Sequence, residues 1–176
     1  MLNSSDKTID LYNDVSNPLD GIEEIMMNND WVFSRPFDDQ LTVQVSGKMG
    51  VYDLVFLWQD DYSAMQFMCM PDVTVTADKA DQTIKAMHEM NQNLWLGHFD
   101  LEKSGNSFRP RFKHTCLFRG MVETSGVEII EDLIDIALSE CERYYATFNM
   151  MSVKDPQNDN VHDKLALSMM DVAGRS

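Results

Sequence analysis

The stretch that decides the fold runs from Leu41 to Met70 and reads LTVQVSGKMGVYDLVFLWQDDYSAMQFMCM. Its opening residues, LTVQVS, alternate between apolar and polar side chains, which is typical of a strand with one buried face. The segments 51–58 and 63–70 follow the turn sequences GKMG and QDDY, and both are apolar on two faces. We therefore expect them to be central strands covered on both sides. Short turns between successive strands predict an antiparallel sheet.

On the N-terminal side of this stretch, the pattern predicts a tail, a helix and one short strand. Residues 1–16 are polar and unpatterned, and we expect a flexible tail. The sequence SNP at 16–18 is typical of a helix start, and apolar residues then recur at helical spacing up to Met26. The segment 31–33 is predicted to be a strand and 36–39 a turn.

Three further helices are predicted on the C-terminal side. The first begins at the capping residue Thr76 and ends near Asn93, with an inner stripe of Ala80, Ile84, Met87, Asn91 and Leu94. The second begins with the capping box SGVE at 125–128 and ends near Phe148. The third begins at Asp155-Pro156 and carries Leu165, Leu167, Met169 and Val172.

A β-hairpin is predicted between the first two of these helices, with Gly105 and Asn106 as a two-residue loop. On one face, the resulting register pairs Glu102 with Arg109, Asp100 with Arg111, and His98 with Lys113. On the other face it pairs Leu101 with Pro110, Phe99 with Phe112, Gly97 with His114, and Trp95 with Cys116. A shift by one residue would place arginines against phenylalanines, so this register is strongly favoured.

Two histidines and an aspartate in one hairpin raise the possibility of a metal site or an acid–base pair. In the predicted register His98 and His114 lie on opposite faces and cannot share a metal ion. Asp100 already faces Arg111, which makes it a poor general base. For His114 two interpretations stay open: a satisfied core histidine, or a neutral histidine whose protonation opens the packing. We expect no metal, no cofactor and no catalytic residues.

The predicted helix 125–148 has more apolar surface than a sheet can cover. Its apolar arc is about 200° wide, whereas an arc of about 100° suffices to pack on a sheet. Ile129, Leu133 and Ile136 extend the arc to one side. The surplus requires a second cover, which is either another part of this chain or another subunit. If the cover is another subunit, we expect a homodimer whose contact involves the second or third helix of the chain.

The overall composition excludes several classes of partner. The net charge of -15 argues against nucleic acid and anionic membranes, which would repel this surface. No apolar stretch approaches the roughly 20 residues that a membrane span needs. The N-terminus has no basic start and no apolar run, so it does not resemble a secretory signal. Three widely spaced cysteines predict reduced thiols, and we expect a cytoplasmic protein.

The 14 methionines are the most unusual feature of the composition. Methionine fills gaps in cores, and it also suits surfaces that accept varied apolar partners. No phosphate-binding loop and no nucleophile–base set is found, so we expect a non-enzymatic domain that binds a partner polypeptide. The predicted partner or dimer surface comprises Met87, Met90, Ile129, Leu133, Ile136, Met150, Met151, Met169 and Met170. The alternative is a small-molecule sensor with a pocket near Trp95 and His114.

Several blocks of the sequence resemble the YbjN family: NPLDGIEEIMMNNDWVFSRPFDDQLTVQVSG, MQFMCMPDVTV, LWLGHFDL, FRPRFKHTCLFRG and EDLIDIALSECERYYATF. Members of that family are described as bacterial sensory transduction regulators, and the family is similar in fold to type III secretion chaperones. The resemblance implies a bacterial, cytoplasmic and dimeric protein, and it brings no catalytic residues.

The predicted architecture is α+β, in the order α-β-β-β-β-α-β-β-α-α. We expect an antiparallel sheet of five to six strands with helices packed on it, as in the secretion chaperones. The predicted domains are a tail at 1–16, a YbjN-like domain at 17–148 and an extension with one helix at 149–176.

Overall fold

The computed structural model describes residues 17–118 and 123–152, and the side chains of residues 17–118 and 128–152. The fold is α+β, as predicted. The helices are α1 (Leu19–Asn28), α2 (Ala80–Gln92) and α3 (Glu123–Ser152). The strands are β1 (Phe33–Phe37), β2 (Gln40–Ser46), β3 (Val51–Gln59), β4 (Ala64–Pro71), β5 (Val75–Thr76), β6 (His98–Ser104) and β7 (Ser107–Leu117).

All seven strands form one antiparallel sheet in which β1, β2, β3, β4 and β7 are successive neighbours. Phe112 of β7 pairs with Cys69 of β4 and also with Phe99 of β6. Phe108 of β7 pairs with both β5 and β6. Because a strand has only two sides, β4 and β5 lie one after the other on one side of β7, and β6 lies on the other. The edge strands are therefore β1, β6 and the two-residue β5, which pairs with β7 alone.

One face of the sheet carries the core. Directly opposed residues share a face, and the register places Val43, Leu54, Cys69 and Phe112 in one row across four strands. Buried side chains of this face are Leu41, Val43, Val45, Tyr52, Leu54, Phe56, Trp58, Met65, Phe67, Cys69, Phe99 and Phe112. Helix α3 packs here and contacts both α1 and α2. We call this the helix-covered face.

None of the three helices covers the opposite face, which we call the open face. On β3 every second residue from Val51 to Leu57 points to it and is only half-buried. Its members are Thr42, Gln44, Val51, Asp53, Val55, Leu57, Gln66, Met68, Met70, Arg109, Arg111, Lys113 and Thr115. The prediction that 51–58 is covered on both sides is therefore wrong within the described residues. Strand β4 is more enclosed, because Met68 and Met70 are only 7% and 8% exposed.

The first helix and first strand differ in detail from the prediction. The side-chain oxygen of Asn17 accepts the backbone N–H of Leu19 at 3.0 Å, which caps α1 as expected. Strand β1 begins at Phe33 and includes Pro36, so the predicted strand at 31–33 and turn at 36–39 are both misplaced.

Helices α2 and α3 also begin at other residues than predicted. A 3-10 turn at Ala77–Lys79 precedes α2, and the side chain of Thr76 makes no capping bond. The side chain of Ile84 is 54% exposed, so it does not belong to the inner stripe, and Thr83 and Ala86 are buried instead. Helix α3 already begins at Glu123, which places Ser125 inside the helix and not at its cap.

The C-terminal end of α3 lies beyond the predicted one. The helix continues to Ser152, four residues past Phe148. The predicted tail at 1–16 and the predicted last helix from Asp155 lie outside the described residues.

Candidate interaction surface

The β6–β7 hairpin places a charged network on the open face. The register predicted for Glu102, Asp100, His98, Leu101 and Phe99 is confirmed at every pair. Gly105 has a φ of +60°, which is the conformation that the first residue of a tight two-residue hairpin loop requires. The hairpin is thus set by local side-chain pairing, as the sequence indicates.

Arg111 is the centre of this network. Its guanidinium donates to both carboxylate oxygens of Asp100, at 2.6 and 2.8 Å, and to Glu102 at 2.7 Å. Bidentate pairs of this type are the strong ones. Asp100 is therefore already bound, which agrees with the expectation that it is a poor general base.

Arg109 does not pair with Glu102, although the two residues lie opposite each other. It donates instead to Asp53 of β3 at 2.9 Å. Burial alone would raise the pKa of Asp53, but hydrogen bonds from Gln44 and Arg109 outweigh it and hold the pKa below its ordinary value. Glu102 and Arg109 face each other as predicted but form no ion pair, because the strand order, which short-range pairing cannot reveal, brings β3 within reach of Arg109.

The two hairpin histidines do not form a site together. His98 is exposed and faces Lys113 on the open face, whereas His114 faces Phe67 on the helix-covered face. Burial, assisted by the charge of His98, lowers the pKa of His114. Within residues 17–118 and 128–152 no group of three or more His, Cys, Asp or Glu side chains is arranged to hold a metal ion.

The chain departs from the predicted register just before β6. Gly97 has a φ of +68°, and a Cβ atom at this position would collide with the ring of Phe112. Strand β6 therefore begins at His98, and the predicted pairs Gly97–His114 and Trp95–Cys116 do not form. Trp95 is left 79% exposed beside the sheet.

The centre of the open face is an apolar stripe. On β3 it contains Val51, Val55 and Leu57, and on β4 it contains Met68 and Met70. The cations Arg109, Arg111 and Lys113 of β7 flank the stripe on one side. Among the described residues, Lys113 forms no ion pair, whereas both arginines are paired. An apolar stripe beside an unpaired cation is the most distinctive surface in the described part of the chain.

A hollow of about 410 Å³ lies at the β1 side of the same face. Its lining residues are Val32, Phe33, Ser34, Thr42, Val43, Gln44, Asp53, Val55 and Met70. Neither Trp95 nor His114 belongs to this lining, and the pocket near those two residues stays a prediction.

The two longer edge strands, β1 and β6, each have a feature that hinders pairing with an added strand. Strand β1 contains Pro36, which has no N–H to offer a further strand. At β6, the side chain of Asn91 accepts the N–H of Phe99 at 2.7 Å and donates to the carbonyl of Phe99 at 3.0 Å. Edge strands without such protection are templates for β-pairing.

The predicted partner surface is only in part accessible. Met87, Met90, Leu133 and Met151 are each at most 3% exposed. They belong to the core of the chain, and their prediction as surface residues is wrong. The residues that remain half-buried are Ile129, Ile136 and Met150. Met169 and Met170 lie outside the described residues.

The three cysteines lie in apolar surroundings, as the sequence indicates. The thiol of Cys141 donates to the carbonyl of Cys69 at 3.7 Å, and both residues are fully buried. Burial raises the pKa of Cys141 and of Cys116. A protonated thiol is a poor nucleophile and a poor metal ligand.

Comparison with known proteins places this chain in a family. The sequence profile of YbjN, described as "Putative bacterial sensory transduction regulator", matches residues 18–150. The chain belongs to the YbjN family. Its predicted membership is thereby confirmed, over nearly the same residues that carried the resemblance.

A solved structure of this family has the same fold. It is described as "Crystal structure of YbjN, a putative transcription regulator from E. coli". The two chains are 13% identical with a TM-score of 0.50, and the match covers 72% of this chain and 93% of that one. No curated protein matches the sequence. None of the helices in the described part of the YbjN-family chain combines the length and apolar character needed to cross a bilayer.

Proposed function

We propose that this protein is a non-enzymatic bacterial regulator that acts by binding a partner polypeptide on the open face of its sheet. The observation that carries the proposal is the uncovered apolar stripe around Val55 and Leu57. The description of the YbjN family as a sensory transduction regulator supports a regulatory role. The three cysteines, all free, suit a cytoplasmic setting.

The partner that suits this face is an amphipathic helix. A helix laid on a sheet buries an apolar stripe without using backbone hydrogen bonds, and the edge strands β1 and β6 each have a feature that hinders an added strand. An acidic side chain of the partner would pair with Lys113 beside that stripe, because Lys113 forms no ion pair among the described residues. An acidic amphipathic helix therefore fits the geometry and the charge.

The size of the stripe indicates a reversible contact. Covering the half-buried side chains of Val51, Val55 and Leu57 gains about 1 kcal/mol each. About 3 kcal/mol of apolar burial alone is below what a permanent complex needs. Such a surface is typical of a regulator that binds and releases its partner.

Photo-crosslinking in the native cell tests the proposal. A benzophenone amino acid at Leu57 is expected to capture one discrete foreign polypeptide. The same group at Ile84, which is exposed on α2 in the helical layer, is the matched control and should not capture that polypeptide. Capture from Ile84 alone, or from neither position, would contradict the proposal.

Binding of the captured partner then provides a quantitative test. With purified components, Val55→Asp is expected to weaken binding by about tenfold or more, because it buries a charge against the helix. Ile84→Asp should leave the dissociation constant unchanged. Equal effects of the two substitutions would exclude the open face as the binding surface.

A second candidate function is a small-molecule sensor, and the hollow of about 410 Å³ favours it. Its volume suits a small ligand, and the carboxylate of Asp53 in its lining would accept a hydrogen bond. A metabolite that binds there should raise the melting temperature of the wild-type protein but not that of Val55→Trp, which fills the hollow.

The predicted homodimer is part of the proposal. Helix α3 presents the half-buried side chains of Ile129 and Ile136 to such a contact. Light scattering that shows a monomer at micromolar concentration would count against the dimer. Such a result would not contradict the proposed binding of a partner to the open face.

A further inference from the structure

We propose that residues 161–172 of the same chain occupy the open face when no partner is bound. The segment would act as a tethered competitor for the stripe formed by Val51, Val55, Leu57, Met68 and Met70. The competition with a partner rests on the proposed function, whereas the docking of the segment on the sheet does not.

The first argument is the place where the described chain ends. The rings of Phe148 and Phe99 lie 5.3 Å apart between centroids, which puts the last turns of α3 over the edge strand β6. Ser152 follows one helical turn later. The chain therefore leaves α3 near an edge, the shortest route from the helix-covered face to the open face.

The second argument is the length of the connection. Residues 153–160 read VKDPQNDN, a polar stretch without an apolar pattern. Eight extended residues reach about 26 Å. Passing from the helical layer around the sheet edge to a layer on the other face requires about 20 Å, two layer spacings of about 10 Å. The connection is long enough with little surplus.

The third argument is the apolar pattern of the segment. Val161, Leu165, Met169 and Val172 recur at intervals of four, four and three residues, which is the spacing of one face of a helix. Leu167 lies about 200° away from Leu165 on such a helix. The segment thus offers a four-residue apolar stripe to a flat apolar surface, with Leu167 and Met170 on the opposite side of the helix.

The fourth argument is the match in length. Strands β2, β3, β4 and β7 lie side by side, and at about 4.8 Å between neighbours they span between about 14 and 19 Å. Twelve residues of helix are about 18 Å long. A helix formed by 161–172 would cross these strands once and cover the stripe.

Crosslinking of the purified full-length protein tests the docking. A benzophenone amino acid at Leu57 is expected to form a crosslink within one chain, mapped by mass spectrometry to residues 161–172. The same group at Ile84 is the control and should not react with that segment. A crosslink from Leu57 to residues 161–172 of a second copy would overturn the proposal. The absence of any crosslink to residues 161–172 would overturn it as well.

A matched pair of substitutions adds a readout that does not depend on crosslinking. In full-length protein with the benzophenone at Leu57, Leu165→Asp should abolish the crosslink, whereas Leu167→Asp should retain it. Loss in both variants, or in neither, would contradict a helix that presents Leu165 to the sheet.

The regulatory consequence is tested separately with the partner captured from the native cell. If the segment covers the face nine-tenths of the time, Leu165→Asp should tighten partner binding by about tenfold, and Leu167→Asp should not. Unchanged affinity in Leu165→Asp would overturn the competition while leaving partner binding intact. A crosslink to 161–172 without any captured partner would refute the proposed function and leave the docking standing.

Discussion

Leu54 and Leu57 lie three residues apart on β3 and illustrate the difference between the two faces of the sheet. Leu54 is fully buried under the helices, whereas Leu57 is half-buried on the open face. The two residues are chemically identical, so only their position in the pleat separates a core residue from a surface one. A strand that is apolar on both faces thus need not be covered on both by the described part of its own chain.

The two faces also differ in the number and pairing of their polar side chains. The helix-covered face consists almost wholly of apolar side chains, with the half-buried His114 as an exception. On the open face every described carboxylate of the network is paired with an arginine. Paired charges around an apolar centre are typical of a binding surface.

Among positions outside the middle of a strand, we expect the largest loss of stability for Gly97→Ala, which perturbs the helix-covered face. The substitution combines a positive φ with a collision against Phe112. We expect a loss of about 2–4 kcal/mol in the free energy of unfolding, measured by chemical denaturation.

Gly105→Ala is the matched control for this substitution. It has a similar φ of +60° but nothing within 4 Å of the new Cβ atom. It should cost about 1–2 kcal/mol, which is the conformational strain alone. Equal losses at both positions would show that the contact between Gly97 and Phe112 is unimportant.

A smaller effect is expected for Arg111→Ala on the open face. The substitution leaves Asp100 and Glu102 without their cation, but these carboxylates are partly exposed and partly screened. We expect a loss of about 1 kcal/mol. Arg111→Lys keeps the charge without the bidentate geometry and should recover less than the whole loss.

The contrast between faces explains which features the sequence predicts. The β6–β7 register follows from Phe99, Asp100 and Arg111, because side-chain alternation and a two-residue loop are local properties. The partner of Arg109 depends on β3 lying near β7 in the sheet, a long-range property that no local pattern contains.

Two further differences have local causes that the pattern conceals. Strand β5 is only two residues long, too short to show alternation. The left-handed conformation at Gly97 interrupts a run that otherwise resembles a continuous strand. The sequence does not predict the open face, because an apolar residue such as Leu57 gives the same pattern whether it is covered by its own chain or by another molecule.

The smallest effect is expected for His114→Phe. Since burial lowers the pKa of His114, the neutral form contributes stability that is complete above the ordinary pKa of histidine and is lost as pH falls through the lowered value. The variant should keep its fold and its partner binding, and its unfolding free energy should fall less between about pH 7 and pH 5 than that of the wild type. Loss of binding with an unchanged melting curve would show that the imidazole is functional.

The free energies of unfolding of Leu54→Ala and Leu57→Ala test most directly whether only one face of the sheet is a folding core. We expect a loss of about 2–5 kcal/mol for Leu54→Ala, because a fully buried side chain leaves a cavity. For Leu57→Ala we expect about 1 kcal/mol or less. Equal losses would contradict this account, because they would show that Leu57 is as much a part of the core as Leu54.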